Sequence, residues 1–314
     1  MVGKDKTEMI RILNKLDKEF KITFNTGEDD SLIYVGMEIN SRPDGISVHQ
    51  SKYVDKILKR YNYTDINSAS TPIERGMVTN SENFLNDEPL SESYPYREIV
   101  GSLLYLATVS RPDISFSVNY LSRFNHKPLL SHWKMVKRVL QYIKGTARYG
   151  ILFDGNKKLI AFCDSDYGGD EVSRKSTSGV LLMRGGPVVW FTQKQPLVAN
   201  STAEAEYRAA VSAIDDISWI RRLAGELKQL NLDKPTPLFI DNQAAIHMLE
   251  NAHEGKVTKG KKHIEISRKF IQQHIGTTVE LKAIKSEEQL ADVLTKPLTK
   301  GVFERLIRKI IKEE

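Results

Sequence analysis

Apolar residues at Ile10, Leu13, Leu16 and Phe20 recur at three- and four-residue steps, which predicts an amphipathic helix within residues 1 to 20. Alternating runs follow in "KITFNT", "SLIYVGMEI" and "GISVHQ", the last after the turn signal "RPDG", so strands are expected there. Ser51 offers an N-cap to "KYVDKILKRY", where Tyr53, Ile57 and Leu58 fall at helical spacing. No period survives in the polar stretch from Asn62 to about residue 93, which reads as a connection. Three helical patterns come next: "YREIVGSLLYLATVS", stopped by "RPD", then "ISFSVNYLSRF" and "HWKMVKRVLQYIKGT".

At about residue 150 the rhythm changes. "GILFDG", "LIAFCD", "TSGVLLMRGG" and "PVVWFTQKQ" read as strands, followed by a long helix from "AEAEYRAAVSA". Strand "PLFI", helices in "NQAAIHML" and "HIEISRKFIQQHI", strand "VELKAIKS" and helix "EEQLADVLTKPL" complete the series. An antiparallel start that passes into β-α units predicts an α/β class with a mixed sheet and helices on its faces. The tail "KGVFERLIRKIIKEE" reads as an amphipathic basic helix at a packed or frayed terminus, and Trp190 and Trp219 as core-facing.

Composition changes this picture little. With 314 residues, 40% of them hydrophobic and 27% charged, the chain has room for a sizeable core and more than one unit. One cysteine, Cys163, leaves no internal disulfide and reads as packing in an apolar strand. No apolar run approaches the ~18 residues of a membrane span, and the charged N-terminus lacks a signal-peptide core, so an intracellular, cytoplasmic protein is expected. The formal charge of +6 suits a polyanionic partner, although ordinary surfaces also carry such an excess.

The candidate chemistry is acidic. Asp164 ends the strand "LIAFC", and Asp241 ends "PLFI" as the next helix opens. Polar residues at the carboxyl ends of strands in a β/α chain share one edge, where ligands bind. Glu206 lies on a helix capped by Ser201 or Thr202, and Asp292 sits among Leu290, Val293 and Leu294. Four carboxylates converging from two strands and two helices repel one another unless a cation neutralises them. Mg²⁺ is the economical choice, and two such ions about 3.5–4 Å apart make a phosphoryl-transfer site. One aspartate at a strand end is more often a cap or a turn residue; the set carries the argument. Asp166 and Asp170 fit a solvated turn better, with Asp166 placed to tune the site.

These residues carry a resemblance. "DSDYGGDEVSRKSTSG", "STAEAEYRAA", "IDNQAAIHMLEN", "KKHIEISRKFI" and "EEQLADVLTKPL" resemble, in order and spacing, the ribonuclease H domain of copia-type retrotransposon Pol polyproteins. Upstream, "YVGMEI", "HQSKYVDKILKRY", "STPIE", "PYREIVGSLLYLATVSRPDISFSVNYLSRF" and "HWKMVKRVLQYIKGT" resemble the end of the reverse transcriptase palm and the thumb and connection region. The resemblance implies three units: a palm remnant over residues 1–62, a helical thumb/connection segment over 63–150, and a ribonuclease H-like domain with a mixed five-stranded sheet over 151–314. It also implies metal binding and catalysis at Asp164, Glu206, Asp241 and Asp292, two Mg²⁺ ions with Mn²⁺ as a substitute, and cleavage of the RNA strand of an RNA/DNA hybrid. Partners would be that hybrid and the rest of a reverse transcriptase, with no membrane and no small-molecule cofactor.

Two clusters are candidates for nucleic-acid contact. "RKSTS", Arg174, Lys175, Ser176, Thr177 and Ser178, joins two cations to three hydroxyls, a set suited to phosphates and equally to a solvated hairpin turn. The basic run containing Lys261, Lys262 and His263 leads into a helix. The chain also departs from the pattern. The loop "IKSEEQLAD" lacks the histidine that cellular ribonucleases H carry, leaving Glu287, Glu288 or solvent for proton transfer. Asn200 stands where the family has an apolar residue, an amide expected to weaken its strand. The polymerase signature, an aromatic residue followed by X-Asp-Asp, is absent, so polymerisation by this chain alone is not expected. A non-catalytic nucleic-acid-binding remnant of a truncated element is the alternative to an active nuclease.

Overall fold

The computed structural model describes residues 6–21, 31–78, 87–228, 233–251 and 269–314. The predicted strand "KITFNT" and the basic run with Lys261, Lys262 and His263 lie outside them. Helix α1 spans Lys6–Phe20, as the apolar spacing predicts.

Strands β1 (Ser31–Tyr34), β2 (Met37–Arg42) and β3 (Gly45–His49) form an antiparallel meander. The run "SLIYVGMEI" is thus two strands rather than one. Val35 and Gly36 both take positive φ, +47° and +73°, and close a two-residue hairpin whose twist matches its strands. A β-branched residue at such a position hides the turn from sequence reading. Strand β4 (Tyr149–Phe153), which contains most of "GILFDG", pairs with β3 and so joins this first sheet. The two backbones meet closely at Gly150, where a Cβ would lie 2.6 Å from the Val48 carbonyl oxygen.

Helix α2 (Ser51–Arg60), the short α3 (Arg75–Val78), α4 (Tyr96–Val109), a 3₁₀ turn at Pro112–Ile114, α5 (Ser115–Ser122) and α6 (Leu130–Gly145) make a helical unit. Its core holds Ile57, Ile99, Leu103, Leu106, Val136, Leu140 and Ile143. Arg111 and Asp113, both 1% exposed, form a forked ion pair at 2.7–3.2 Å inside it. The Tyr142 hydroxyl donates to Asp113 at 2.7 Å and Arg111 Nη1 donates to the Thr146 carbonyl at 2.8 Å, so the pair is saturated.

The second sheet has β5 (Ile160–Asp166), β6 (Thr177–Met183), β7 (Pro187–Lys194), β8 (Thr236–Ile240) and β9 (Val279–Ala283), in the order β7-β6-β5-β8-β9. The first three strands are antiparallel, and β8 and β9 run parallel to β5. With α7 (Thr202–Glu226) and α8 (Gln243–Glu250) against it, this is the ribonuclease H-like α/β fold with a mixed five-stranded sheet.

Both faces of that sheet are covered. Ala161, Cys163, Val180, Leu182, Leu238 and Ile240 pack on Ala209, Ala213, Ile214 and Ile217 of α7. Phe162 and Leu181, pointing the other way, belong to the same core as the helical unit, and the Trp190 indole donates to the Ala107 carbonyl at 2.8 Å. Trp219, expected inside, is 53% exposed on α7. The tail is neither frayed nor one helix. Helix α9 (Lys300–Ile307) buries Phe303, Leu306 and Ile307 in the shared core, and β10 (Lys312–Glu313) pairs with β4 of the first sheet.

Candidate functional site

Asp164 lies near the end of β5, opposite Gly179 of β6, and is 2% exposed. Strand β8 runs alongside in the register Ala161–Leu238 and Phe162–Phe239, which brings Asp241, the residue after β8, to the same edge. Glu206 comes from α7, whose start is fixed by the Ser201 hydroxyl accepting the Glu204 amide at 3.1 Å. The ligand oxygens offered by Asp164, Glu206 and Asp241 all lie within 4.8 Å of one another.

The fourth predicted residue arrives differently. The expected helix "EEQLADVLTKPL" is two 3₁₀ turns, Ser286–Glu288 and Leu290–Leu294, and Asp292 sits on the second, 7% exposed. The segment approaches the sheet over Gly179, where a Cβ would lie 2.7 Å from Thr295 Cγ2 and 2.8 Å from Leu294 Cβ. Asp292 is outside the three-carboxylate group and is tied to it by a cation. Lys296 Nζ lies 2.8 Å from Asp292 Oδ1 and 3.4 Å from Asp164 Oδ2, and the Thr295 hydroxyl donates to Asp164 Oδ2.

Burial sets the electrostatics. The Glu206 carboxyl is pushed up to about 9, by desolvation first and by Asp164 next, against the help of the Ser165 amide that donates to Oε1 at 3.1 Å. Its other oxygen, Oε2, is buried with no hydrogen-bond partner. Asp292 rises to about 7, again by desolvation and then by Asp164. Burial opposes the Lys296 ammonium, yet Asp164 and Asp292 outweigh it and raise its pKa. Asp166 is raised by desolvation too. A lone buried carboxylate oxygen among like charges is a costly arrangement that a divalent cation would relieve, so the donor set fits a hard metal ion.

Asp170 behaves as part of a turn. Burial works against its charge, but Lys194 at 2.5 Å and the Ser173 amide and hydroxyl at 2.8 and 2.7 Å hold it down at about 2. That turn carries "RKSTS", whose members separate. Arg174 is exposed, at φ +53°, with its amide donating to the Asp170 carbonyl at 2.7 Å, and Lys175 is half-buried. Ser176, Thr177 and Ser178 are buried, and their hydroxyls face inward: Ser176 Oγ accepts from the Gly168 amide at 3.1 Å and Ser178 Oγ from Gln195 at 2.9 Å. Only the two cations of this set are left at the surface. Asn200 is exposed, not buried. Its amide groups donate to Glu204 Oε2 at 2.9 Å and support the start of α7 instead of straining a strand. Glu287 and Glu288 are exposed.

Sequence reading passed over Lys296, Thr295, Gly179 and Gln289. Lys296 alone had a local signal, four residues after Asp292.

No protein-family profile matches the chain. A retrovirus-related Pol polyprotein from transposon RE2 of Arabidopsis thaliana is 33% identical over 315 aligned residues, 99% of this chain and 21% of that protein. One from transposon TNT 1-94 of Nicotiana tabacum is 30% identical over 311, covering 97% of this chain and 23% of the relative. The chain therefore spans about a fifth of the length of these relatives. Among solved structures, LC11-RNase H1, determined in complex with an RNA/DNA hybrid, aligns with 44% of this chain and 94% of its own at 16% identity and a TM-score of 0.33. No helix among the described residues is long and apolar enough to cross a membrane. The sequence relationship runs through the whole chain, and the chain belongs to the family of copia-type retrotransposon Pol polyproteins.

Proposed function

We propose that this chain is a metal-dependent ribonuclease H that hydrolyses the RNA strand of RNA/DNA hybrids. The observation that carries the reading is the convergence of Asp164, Glu206 and Asp241 within 4.8 Å, with Glu206 Oε2 buried and unpartnered beside them. Asp164, Glu206, Asp241 and, from its 3₁₀ turn, Asp292 would hold two Mg²⁺ or Mn²⁺ ions. Such ions supply a nucleophilic water and charge stabilisation at the scissile phosphate.

The protein's own groups do the rest. Buried Asp164 and Glu206 are rigid supports: strand β5 fixes one, and the Ser165 amide on Glu206 Oε1 orients the other. Asp241 is partly exposed, which leaves it open to an incoming phosphate. Lys296 places a positive charge between Asp164 and Asp292, where it offsets their repulsion and favours an anionic substrate. Exposed Arg174 and half-buried Lys175 are phosphate contacts for the hybrid backbone, which position it without reading sequence. Choice of RNA over DNA requires recognition of the 2′-hydroxyl. Lys261, Lys262 and His263 are retained as candidate contacts from the sequence.

The rest of a reverse transcriptase is the partner proposed for the first sheet. Leu32, Ile33 and Tyr34 on β1, the outer strand of the first sheet among the described residues, are 44–60% exposed, an apolar edge of the kind that pairs with further chain.

A labelled RNA/DNA hybrid incubated with the protein and Mg²⁺ or Mn²⁺, alongside Asp241→Asn, tests the nuclease reading. RNA cleavage that Asp241→Asn abolishes is expected. No cleavage, or cleavage indifferent to the substitution, refutes it and leaves a nucleic-acid-binding remnant.

A further inference from the structure

We propose that Gln289 is a positioning residue that fixes the fourth carboxylate, Asp292, against Asp164; the inference rests on the nuclease reading above. Gln289 is fully buried, and both ends of its amide are used. Nε2 donates to the Cys163 carbonyl at 2.9 Å, while Oε1 accepts the Ala291 amide at 3.2 Å. One planar group thus joins the residue before Asp164 to the residue before Asp292.

The place where it docks explains why a side chain is needed. The β5–β8 ladder registers Ala161 with Leu238 and Phe162 with Phe239 and stops there. Cys163 is the next residue on β5 after the last registered pair, and its carbonyl would be a buried acceptor just beyond the end of that ladder. Gln289 satisfies it and returns the free lone pairs of its own oxygen to the 3₁₀ turn. No other uncharged side chain of this length offers a donor and an acceptor on one rigid plane. Thr192 adds a second tether, donating from its hydroxyl to the Leu294 carbonyl at 2.7 Å. Unlike Thr295, Gln289 touches no carboxylate, so it acts only through the backbone it holds.

The test compares wild type, Gln289→Leu, Gln289→Met, Asp292→Asn and the double variant Gln289→Met/Asp292→Asn. Methionine keeps the length and volume of the side chain and removes both hydrogen bonds. Hybrid cleavage is measured for kcat and KM, and Mn²⁺ affinity by calorimetry without nucleic acid. Misplacing Asp292 lowers kcat by about 10- to 100-fold with KM changed by less than about twofold, and weakens Mn²⁺ binding by about tenfold. Because both changes disable the same group, the double variant is no worse than Asp292→Asn alone. Folded Gln289 variants with wild-type kcat and Mn²⁺ affinity overturn the proposal. So does a double variant whose losses multiply, or a Gln289→Met protein that does not fold, since either makes Gln289 a general stabiliser. If wild type binds Mn²⁺ but cleaves nothing, the nuclease reading fails, while the calorimetric comparison still decides the clamp.

Discussion

The buried carboxyl of Glu206 makes a prediction that runs against the usual behaviour of proteins in acid. Its pKa in the folded chain is about 9 against an ordinary value of 4.5, so between those limits the folded state keeps a proton that the unfolded state has lost. Stability from this group is therefore complete below pH 4.5 and drains away as pH rises toward 9. At about 1.4 kcal/mol per unit, roughly 3 kcal/mol has gone by pH 7. Asp292, raised to about 7, adds loss of the same sign below neutrality. His132 opposes both. Desolvation lowers it from 6.5 to about 4, so its contribution grows as pH rises between those values and is complete above them. From pH 6.5 to 8.5 the His132 contribution is mostly complete and that of Asp292 ends near 7, so Glu206 dominates the slope.

Glu206→Gln isolates the effect. A neutral amide of the same shape removes the charge without opening a cavity, so in EDTA the variant should exceed wild type at pH 8 by on the order of 2–3 kcal/mol, less whatever the new amide leaves unpaired. Its denaturation midpoint should also lose the downward slope. Saturating Mg²⁺ should stabilise wild type more at pH 8 than at pH 6.5, because binding requires the proton to leave, and should not stabilise Glu206→Gln. Urea denaturation followed by fluorescence across this window measures all three. A variant less stable than wild type at pH 8 without metal, or one with the same slope, refutes the assignment of the strain to Glu206.

Gly179→Ala places a methyl 2.7 Å from Thr295 Cγ2, 2.8 Å from Leu294 Cβ and 3.1 Å from the Ala291 carbonyl oxygen, so the Asp292 segment must lift. A loss of about 1–3 kcal/mol by thermal denaturation, with reduced hybrid cleavage, is expected; unchanged values would mean the segment yields freely. Arg111→Met strands the Asp113 carboxylate in the interior and should cost about 3–5 kcal/mol, measured by chemical denaturation. Arg174→Ala should weaken hybrid binding at every sequence and lower the salt-dependence slope by about one, read by fluorescence anisotropy over a salt series.

Much of the carboxylate edge is legible in the sequence because it depends on local rules. Asp164 and Asp241 close apolar strand runs, and strand ends in a β/α chain share an edge. Glu206 follows a capped helix start. Elements decided at long range are not legible. Leu290, Val293 and Leu294 have a helical spacing, yet Gln289, Thr192 and Thr295 pin their segment as 3₁₀ turns over a glycine more than a hundred residues away. The alternation in "GILFDG" suits either sheet; the close approach at Gly150 and the register with β3 assign it to the first. Likewise "RKSTS" suits phosphate contacts and a solvated turn equally in the sequence, both of which would leave its hydroxyls outside, although they lie where β6 enters the sheet between β5 and β7 and meet internal partners.

These long-range contacts also explain why the two halves of the chain share one interior. A ribonuclease H-like sheet has two apolar faces, and α7 covers one. The other, with Phe162 and Leu181, is closed by the Leu290–Leu294 turn, α9 and the helical unit together. The Pro112–Ile114 turn that bears the buried Arg111–Asp113 pair packs on the Leu290–Leu294 turn that bears Asp292, and Asp113, Phe116 and Ser117 face Val293 and Lys296 across a small gap. The turn that bears the fourth carboxylate therefore rests against the turn that bears Asp113 of the saturated ion pair. Since α9 and β10 return the C-terminal chain to that core and to β4, a cut near residue 150 would expose the face that supports Asp292. The helical unit is thus a structural part of the candidate site, however remote it is from the carboxylates in sequence.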